Sequence, residues 1–202
     1  MDEEIPLRGF EQIDSNVGEV TDMVADAFIY RTNAAALSNM VELVKIGREP
    51  RLEVDTGSLL KNIEDAKKVK SGIKVHDGSV FEGFSNWEEV IEYTEEVSGL
   101  VSLINTVGEA ALIDALLKSN SSDYDCIVTT AHKSKGLEFN KVKLGGDFFY
   151  KEAAAPGEKI LTEDEARLLY VAATRAKKQL DISALNPLFK KIGYNTQAEV
   201  AT

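Results

Sequence analysis

The 202-residue sequence is poor in several things: it has one cysteine, four prolines and two histidines. It also lacks any apolar run approaching the roughly 18 residues that a membrane-spanning helix needs. A single cysteine excludes a disulfide framework, and no Cys/His cluster has zinc-ligand spacing. Cys126 lies in the apolar run Cys126-Ile127-Val128, where an inert buried thiol is expected. Positive charge is scarce as well, with 23 Lys and Arg against 34 Asp and Glu and a net charge of −11. That balance argues against a domain that grips nucleic acid by bulk electrostatics, so any such contact must rest on a local basic patch. Met1 is followed by Asp-Glu-Glu, not by a basic region and an apolar core, so a signal peptide is not expected and the cytosol is the expected compartment. Also missing are a Gly-x-x-x-x-Gly-Lys-Ser/Thr phosphate loop and the acidic pair that follows an apolar strand in Mg²⁺-binding sites.

What is present alternates between strand-like and helical patterns, the mark of an α/β fold with one sizeable core or two small ones. Ala27-Phe28-Ile29-Tyr30 reads as a buried strand, followed by Arg31-Thr32-Asn33 and by Leu37, Met40, Val41 and Val44 at helical spacing, with Gly47 as a stop. Before it, a short strand over 7–10 and a helix near 19–25 are expected. After it come a strand at 51–54, a helix at 59–69, and loops or a small hairpin over 71–84. Asn86 is placed to cap a helix, and an apolar stripe from Trp87 through Val97 to Val107 predicts core packing. A further helix over 109–117 ends in a Ser-rich turn at 119–122. Strands at 125–131 and 141–145, a loop over 151–160, a helix at 163–177 opened by a Thr162/Glu165 capping box, and a strand at 179–183 complete the chain, with a loose tail from Gln197.

Two stretches carry chemistry. The first is Cys126 to Phe139, in which an apolar strand releases His132, Lys133, Ser134, Lys135 and Gly136 at its carboxyl end, where open α/β sheets bind ligands. His132 is a hydrogen-bonded loop residue or a group that stacks on bases or touches phosphate. Lys133, Lys135, Lys141 and Lys143, set against Glu138, make a local positive patch or a solvated face. Glu138 is a ribose-hydroxyl acceptor or a salt-bridge partner for those lysines. The second stretch is Glu165 to Lys178. Its apolar middle, Leu168 to Ala173, predicts a deeply buried helix that presents Arg175 from a rigid mount, suited to bidentate contact with phosphate oxygens. The alternative is an arginine favourably placed at a negative helix end.

Together these residues carry a resemblance. Thr129-Thr-Ala-His-Lys-Ser-Lys-Gly-Leu-Glu-Phe139 resembles the fifth helicase motif of the UvrD/Rep/PcrA family of superfamily-one DNA helicases. Glu165–Lys178 resembles their sixth motif, and Tyr30-Arg31-Thr32-Asn33-Ala34 is similar to the motif that opens their second RecA-like domain. The resemblance covers residues 26–46 and 123–185 well and the middle poorly. It implies a RecA-like P-loop-NTPase-type parallel sheet with flanking helices, serving as a second motor domain without its own P-loop. Residues 26–47 and 123–190 would form the core, 1–25 a lead-in, 48–122 a mostly helical, reduced insertion and 191–202 a tail. The shortness of the insertion is closer to the F-box DNA helicase branch.

The resemblance further implies that Arg175 acts as an arginine finger toward the γ-phosphate of ATP, with Gly136 and Glu138 on the nucleotide side. Asn33, Thr130 and His132, together with Arg31 and Lys135, would face a single strand of DNA. ATP and Mg²⁺ would be held mainly by an N-terminal RecA-like domain, which is the expected partner, so this chain should not hydrolyse ATP by itself. The competing expectation is a non-catalytic module, a helicase half kept for binding DNA or protein. A metabolic nucleotide-binding enzyme would need a Gly-rich phosphate loop opening a helix, and there is none.

Overall fold

A computed structural model describes residues 14–76, 78–93, 98–119, 122–148 and 161–192. Six strands, β1 (Asn16–Val17), β2 (Ala27–Tyr30), β3 (Pro50–Glu53), β4 (Cys126–Thr130), β5 (Phe139–Leu144) and β6 (Ala176–Asp181), form one sheet in the order β1-β6-β5-β2-β4-β3. Every pairing is parallel. The helices are α1 (Asn33–Lys45), α2 (Thr56–Lys70), α3 (Trp87–Tyr93), α4 (Ser98–Val107), α5 (Glu109–Lys118), α6 (Glu163–Ala173) and α7 (Asn186–Lys191), with a short 3₁₀ turn at Ser183–Leu185. This is the α/β class expected from the sequence.

Both sheet faces are covered, as parallel sheets require. The period of two along each strand sorts side chains between the faces. Phe28, Leu52, Cys126 and Val128 point into a core with α1, α2, α4 and α5, whereas Ala27, Ile29, Val142 and Leu144 point into a second core with Ala172, Leu185 and Leu188. β3, from the segment set apart in the sequence as an insertion, adds to this sheet beside β4. No single helix among the described residues is long and apolar enough to cross a membrane. The pair α4 and α5 has the composition but bends by 100° at its break, and several of its apolar residues lie in the core.

Local signals hold at most ends. The Thr32 hydroxyl accepts from the Ala35 N–H at 3.2 Å to open α1, and Gly47 ends the segment with a φ of 83°. Asn86 accepts from the Glu89 N–H at 3.0 Å, while Glu89 reaches back to the Ser85 N–H at 2.8 Å, closing the start of α3.

Elsewhere the structure departs from the expectations. The helix expected near 19–25 is a single turn, because the carbonyls of Asp22 and Ala25 accept from the buried Arg48 guanidinium instead of continuing a helical ladder. The helix expected to reach 177 stops at Ala173. β6 begins at Ala176, paired with Phe139, and the Phe139 N–H donates to the Arg175 carbonyl at 2.9 Å, so sheet pairing captures the residues that helical propensity would have continued. β5 correspondingly starts at Phe139, not Lys141. Of the loops or small hairpin expected over 71–84, the described residues form loops and turns, whereas the helical pieces at 183–191 were not foreseen. The expectations for 7–10, Val97, 151–160 and the tail from Gln197 lie outside the described residues.

Helix α6 is also less buried than its apolar middle implied. Only Ala172 is fully buried, and Tyr170 is 52% exposed. Its apolar residues divide between the second core and solvent, since only one side of the helix meets the sheet.

Candidate functional site

The carboxyl ends of β2, β4 and β5 lie side by side, so the segments that leave them converge. Asp147, just beyond β5, ties this corner together. Its carboxylate accepts from the Arg31 N–H at 3.0 Å, the Thr32 N–H at 2.8 Å and the Thr32 hydroxyl at 2.8 Å. The turn entering α1, and with it Asn33 at the first helical position, is thereby fixed. Tyr30 lies close over Gly145, where a Cβ would overlap the phenol ring. Burial first, and then the Asp147 and Asp22 carboxylates, push the Tyr30 phenol well above its ordinary value.

Beyond β4 the chain makes a tight turn. Thr130 is buried and its hydroxyl accepts from the Lys133 N–H at 3.4 Å, while the buried Ser134 hydroxyl donates to the Ala131 carbonyl at 2.9 Å. With those two polar groups turned inward, His132, Lys133 and Lys135 are left outward and exposed. Gly136, with a φ of 89°, then reverses the chain in the left-handed region that a side chain would disfavour. Glu138 follows, exposed, and makes none of the ion pairs found among the described residues. The expected lysine patch is not continuous: Lys143 is turned away to Asp22, with Nζ 2.8 Å from its carboxylate.

Arg31, His132 and Lys135 do meet. Together with Glu165, Arg167 and Val171 of α6 they line an open cavity of about 410 Å³. On its wall, the Arg31 guanidinium grips Glu165 with two nitrogens: Nε donates at 2.8 and 3.0 Å to the two carboxylate oxygens, and a terminal nitrogen lies 2.8 Å from Oε1. The Thr162 hydroxyl does cap α6, accepting from the Glu165 N–H at 3.3 Å. The side-chain half of the expected capping box is replaced by the pair with Arg31.

Arg175 belongs to a neighbouring feature and is not in the cavity lining. Its Nε donates to the Val171 carbonyl at 2.9 Å, one terminal nitrogen to the Leu137 carbonyl at 3.1 Å and the other to the Thr174 hydroxyl at 3.0 Å. The guanidinium thus caps α6 and is stitched to the segment that carries Gly136 and Glu138. Among the described residues each terminal nitrogen makes one of these bonds, so by hydrogen count one N–H on each is unspent there, on a side chain type that suits phosphate oxygens. The residues present therefore fit a phosphate-bearing nucleotide at this face. Among the described residues, no group of three or more His, Cys, Asp or Glu side chains is placed to hold a metal ion.

Sequence reasoning missed Asp147 and the Arg31–Glu165 pair. Gly146-Asp147 was visible at a strand's carboxyl end, a position that favours function, but nothing local tied it to a turn 115 residues away.

An all-parallel sheet flanked by helices, with these three segments at its carboxyl edge, has the arrangement of the RecA-like α/β class. The model of the UvrD-like helicase C-terminal domain matches residues 7–187, and the chain belongs to that family. It is 26% identical over 191 residues to F-box DNA helicase protein 1 of Schizosaccharomyces pombe, covering 82% of this chain and 21% of that protein. It is 32% identical over 130 residues to ATP-dependent DNA helicase Rep of Buchnera aphidicola, covering 60% of this chain and 18% of Rep. A probable DNA helicase II homolog of Rickettsia felis is 29% identical over 177 residues, covering 75% of this chain and 26% of the relative. The chain spans a minor part of the length of each of these relatives.

Proposed function

We propose that this chain is the C-terminal motor domain of an ATP-dependent DNA helicase or translocase, completed by an N-terminal RecA-like domain that carries the P-loop and holds most of the ATP and Mg²⁺. The observation that carries this reading is the mount of Arg175, tied to Val171, Thr174 and Leu137. ATP bound between the two domains supplies the phosphoanhydride whose terminal phosphoryl group is transferred. Arg175 places a delocalised positive charge where negative charge develops, and its mount means little reorganisation is needed at that moment. Gly136 turns the chain with its positive φ, and Glu138, next to the Leu137 carbonyl that Arg175 bonds, serves the nucleotide with it. Asn33, Arg31, Thr130, His132 and Lys135 serve the strand track: His132, Lys135 and Arg31 through side chains around the cavity, Thr130 by holding the turn that displays them. Asn33 serves it from the anchored start of α1.

The test is DNA-stimulated ATPase activity of this chain alone and then joined to a P-loop-bearing N-terminal domain. Silence alone, activity when joined, and a loss of about 10³-fold in turnover on Arg175→Ala with DNA affinity retained are the expected results. An unchanged turnover in Arg175→Ala sinks the finger assignment, and silence in the joined protein favours a helicase half kept as an interaction module.

A further inference from the structure

We propose that Glu165 is a positioning residue, which clamps the Arg31 guanidinium into the cavity wall beside His132 and Lys135 so that a phosphodiester strand entering there meets an oriented cationic fork. The proposal deepens the strand-track reading above and rests on it. Its basis is geometric. Glu165 holds Arg31 through both carboxylate oxygens, at 2.8 and 3.0 Å from Nε, with a further approach of 2.8 Å from a terminal nitrogen. The two side chains are 25% and 13% exposed, so the pair sits at a cavity rim, partly withdrawn from water. An exposed pair would be worth little, whereas a two-toothed contact of this kind fixes the plane of the guanidinium as well as its place.

The backbone on both sides is already fixed. Asp147 accepts from the Arg31 N–H at 3.0 Å, and the Glu165 N–H caps on the Thr162 hydroxyl at 3.3 Å. With both anchors rigid, the carboxylate restrains a long side chain that has many rotamers open to it. Glu165 also neutralises Arg31 in part, which leaves His132, Lys135 and Arg167 as the other cation-forming side chains around the cavity and Asp164 as its second acid. Glu165 therefore acts by direction and not by adding attraction.

The experiment compares the chain with Glu165→Gln, Arg31→Ala and the double variant. Gln keeps the backbone cap on Thr162 and removes the charge, so α6 is retained. Two readouts are used: hydrogen exchange of the Arg31 Nε–H by NMR, and affinity for fluorescein-labelled oligo(dT). The expected results are exchange at least about tenfold faster in Glu165→Gln and a loss of affinity of roughly five- to tenfold in each single variant. The double variant is expected to show no further loss, as two residues acting as one unit require. The proposal is overturned by Nε–H exchange that Glu165→Gln leaves unchanged, by an affinity that either single variant leaves unchanged, or by losses that multiply in the double variant. Absence of oligo(dT) binding by the parent chain overturns it as well. ATPase activity of the joined protein judges the motor reading separately. An inactive joined protein with coupled losses of oligo(dT) binding would remove the motor and keep the clamp, and an active one with unaffected binding would do the reverse.

Discussion

A single carboxylate oxygen of Asp147 accepts twice from Thr32, from its N–H and from its hydroxyl, each at 2.8 Å. The same hydroxyl accepts from the Ala35 N–H at 3.2 Å, so the end of β5 and the start of α1 are joined by one relay of hydrogen bonds. Such relays polarise one another and are costly to interrupt.

Asp147→Ala is accordingly expected to lower stability by about 2 kcal/mol, since it leaves partly buried donors at Arg31 and Thr32 without an acceptor. Asp147→Asn, which keeps one acceptor oxygen, should lose less. Urea unfolding followed by circular dichroism measures both, and equal midpoints for Asp147→Ala and the parent chain would refute the relay.

Arg48 is the buried staple at the opposite, amino end of the sheet. Its side chain is 5% exposed and pairs with Asp125 at 2.8 Å. It also donates to the carbonyls of Asp22, Ala25 and Asp125, joining the lead-in of β2 to the loop before β4. Arg48→Ala should cost about 3 kcal/mol or more, because three carbonyls and a carboxylate lose a charged donor together. A variant that melts within a degree or two of the parent would show that the staple is dispensable.

Acid should loosen the fold through Asp181 and Asp125. For Asp181, burial pushes the carboxyl upward, but the N–H groups of Val20 and Ser183 and the Lys143 ammonium outweigh it and hold the group below the usual carboxylate range. For Asp125, burial is likewise outweighed, chiefly by the Arg48 guanidinium. A lowered folded pKa means that the stabilisation is present above the unfolded value of about 3.9 and is lost as pH falls through it toward the folded value. The urea midpoint should therefore fall on acidification below about pH 4. Asp181→Asn should be less stable near neutrality and show a shallower fall. An identical acid slope in the variant would remove Asp181 from the account.

Cys126 should be unreactive in the native protein. It is 2% exposed. Burial pushes its thiol up to about 12, with Asp125 adding to this and Arg48 opposing it. The thiolate is the reacting species, and at pH 8 its fraction is on the order of 10⁻⁴. Iodoacetamide should label the unfolded chain within minutes and leave the folded chain unmodified, read by mass spectrometry. Rapid native labelling would place the thiol at the surface.

Much of the candidate site was legible before any fold was known, because it follows from local pattern. Cys126-Ile127-Val128 alternates with Phe28 and Ile29 in the way that buried parallel strands demand, and the polar residues after each strand end fall where a crevice must be. Arg175 could be picked out as the charged residue following an apolar helix. Its neighbours could not, since the Leu137 carbonyl that receives its guanidinium lies 38 residues earlier. The end of α6 was misjudged for a similar reason: 174–177 reads as helix on propensity, and only the presence of β5 alongside makes strand pairing the better use of its backbone groups.

By itself, then, the sequence determined the α/β class and most of its elements, because hydrophobic period, capping residues and strand-end polarity act over a few residues, while its motifs carried the resemblance that implied a parallel sheet and the family. The tertiary structure decided what those motifs hold on to. Arg31 meets Glu165 across 134 residues and Thr32 meets Asp147 across 115. Hydrogen bonds and ion pairs reach only about 3 Å, so such partners are chosen by the packing of distant strands and helices and leave no periodic trace in the chain.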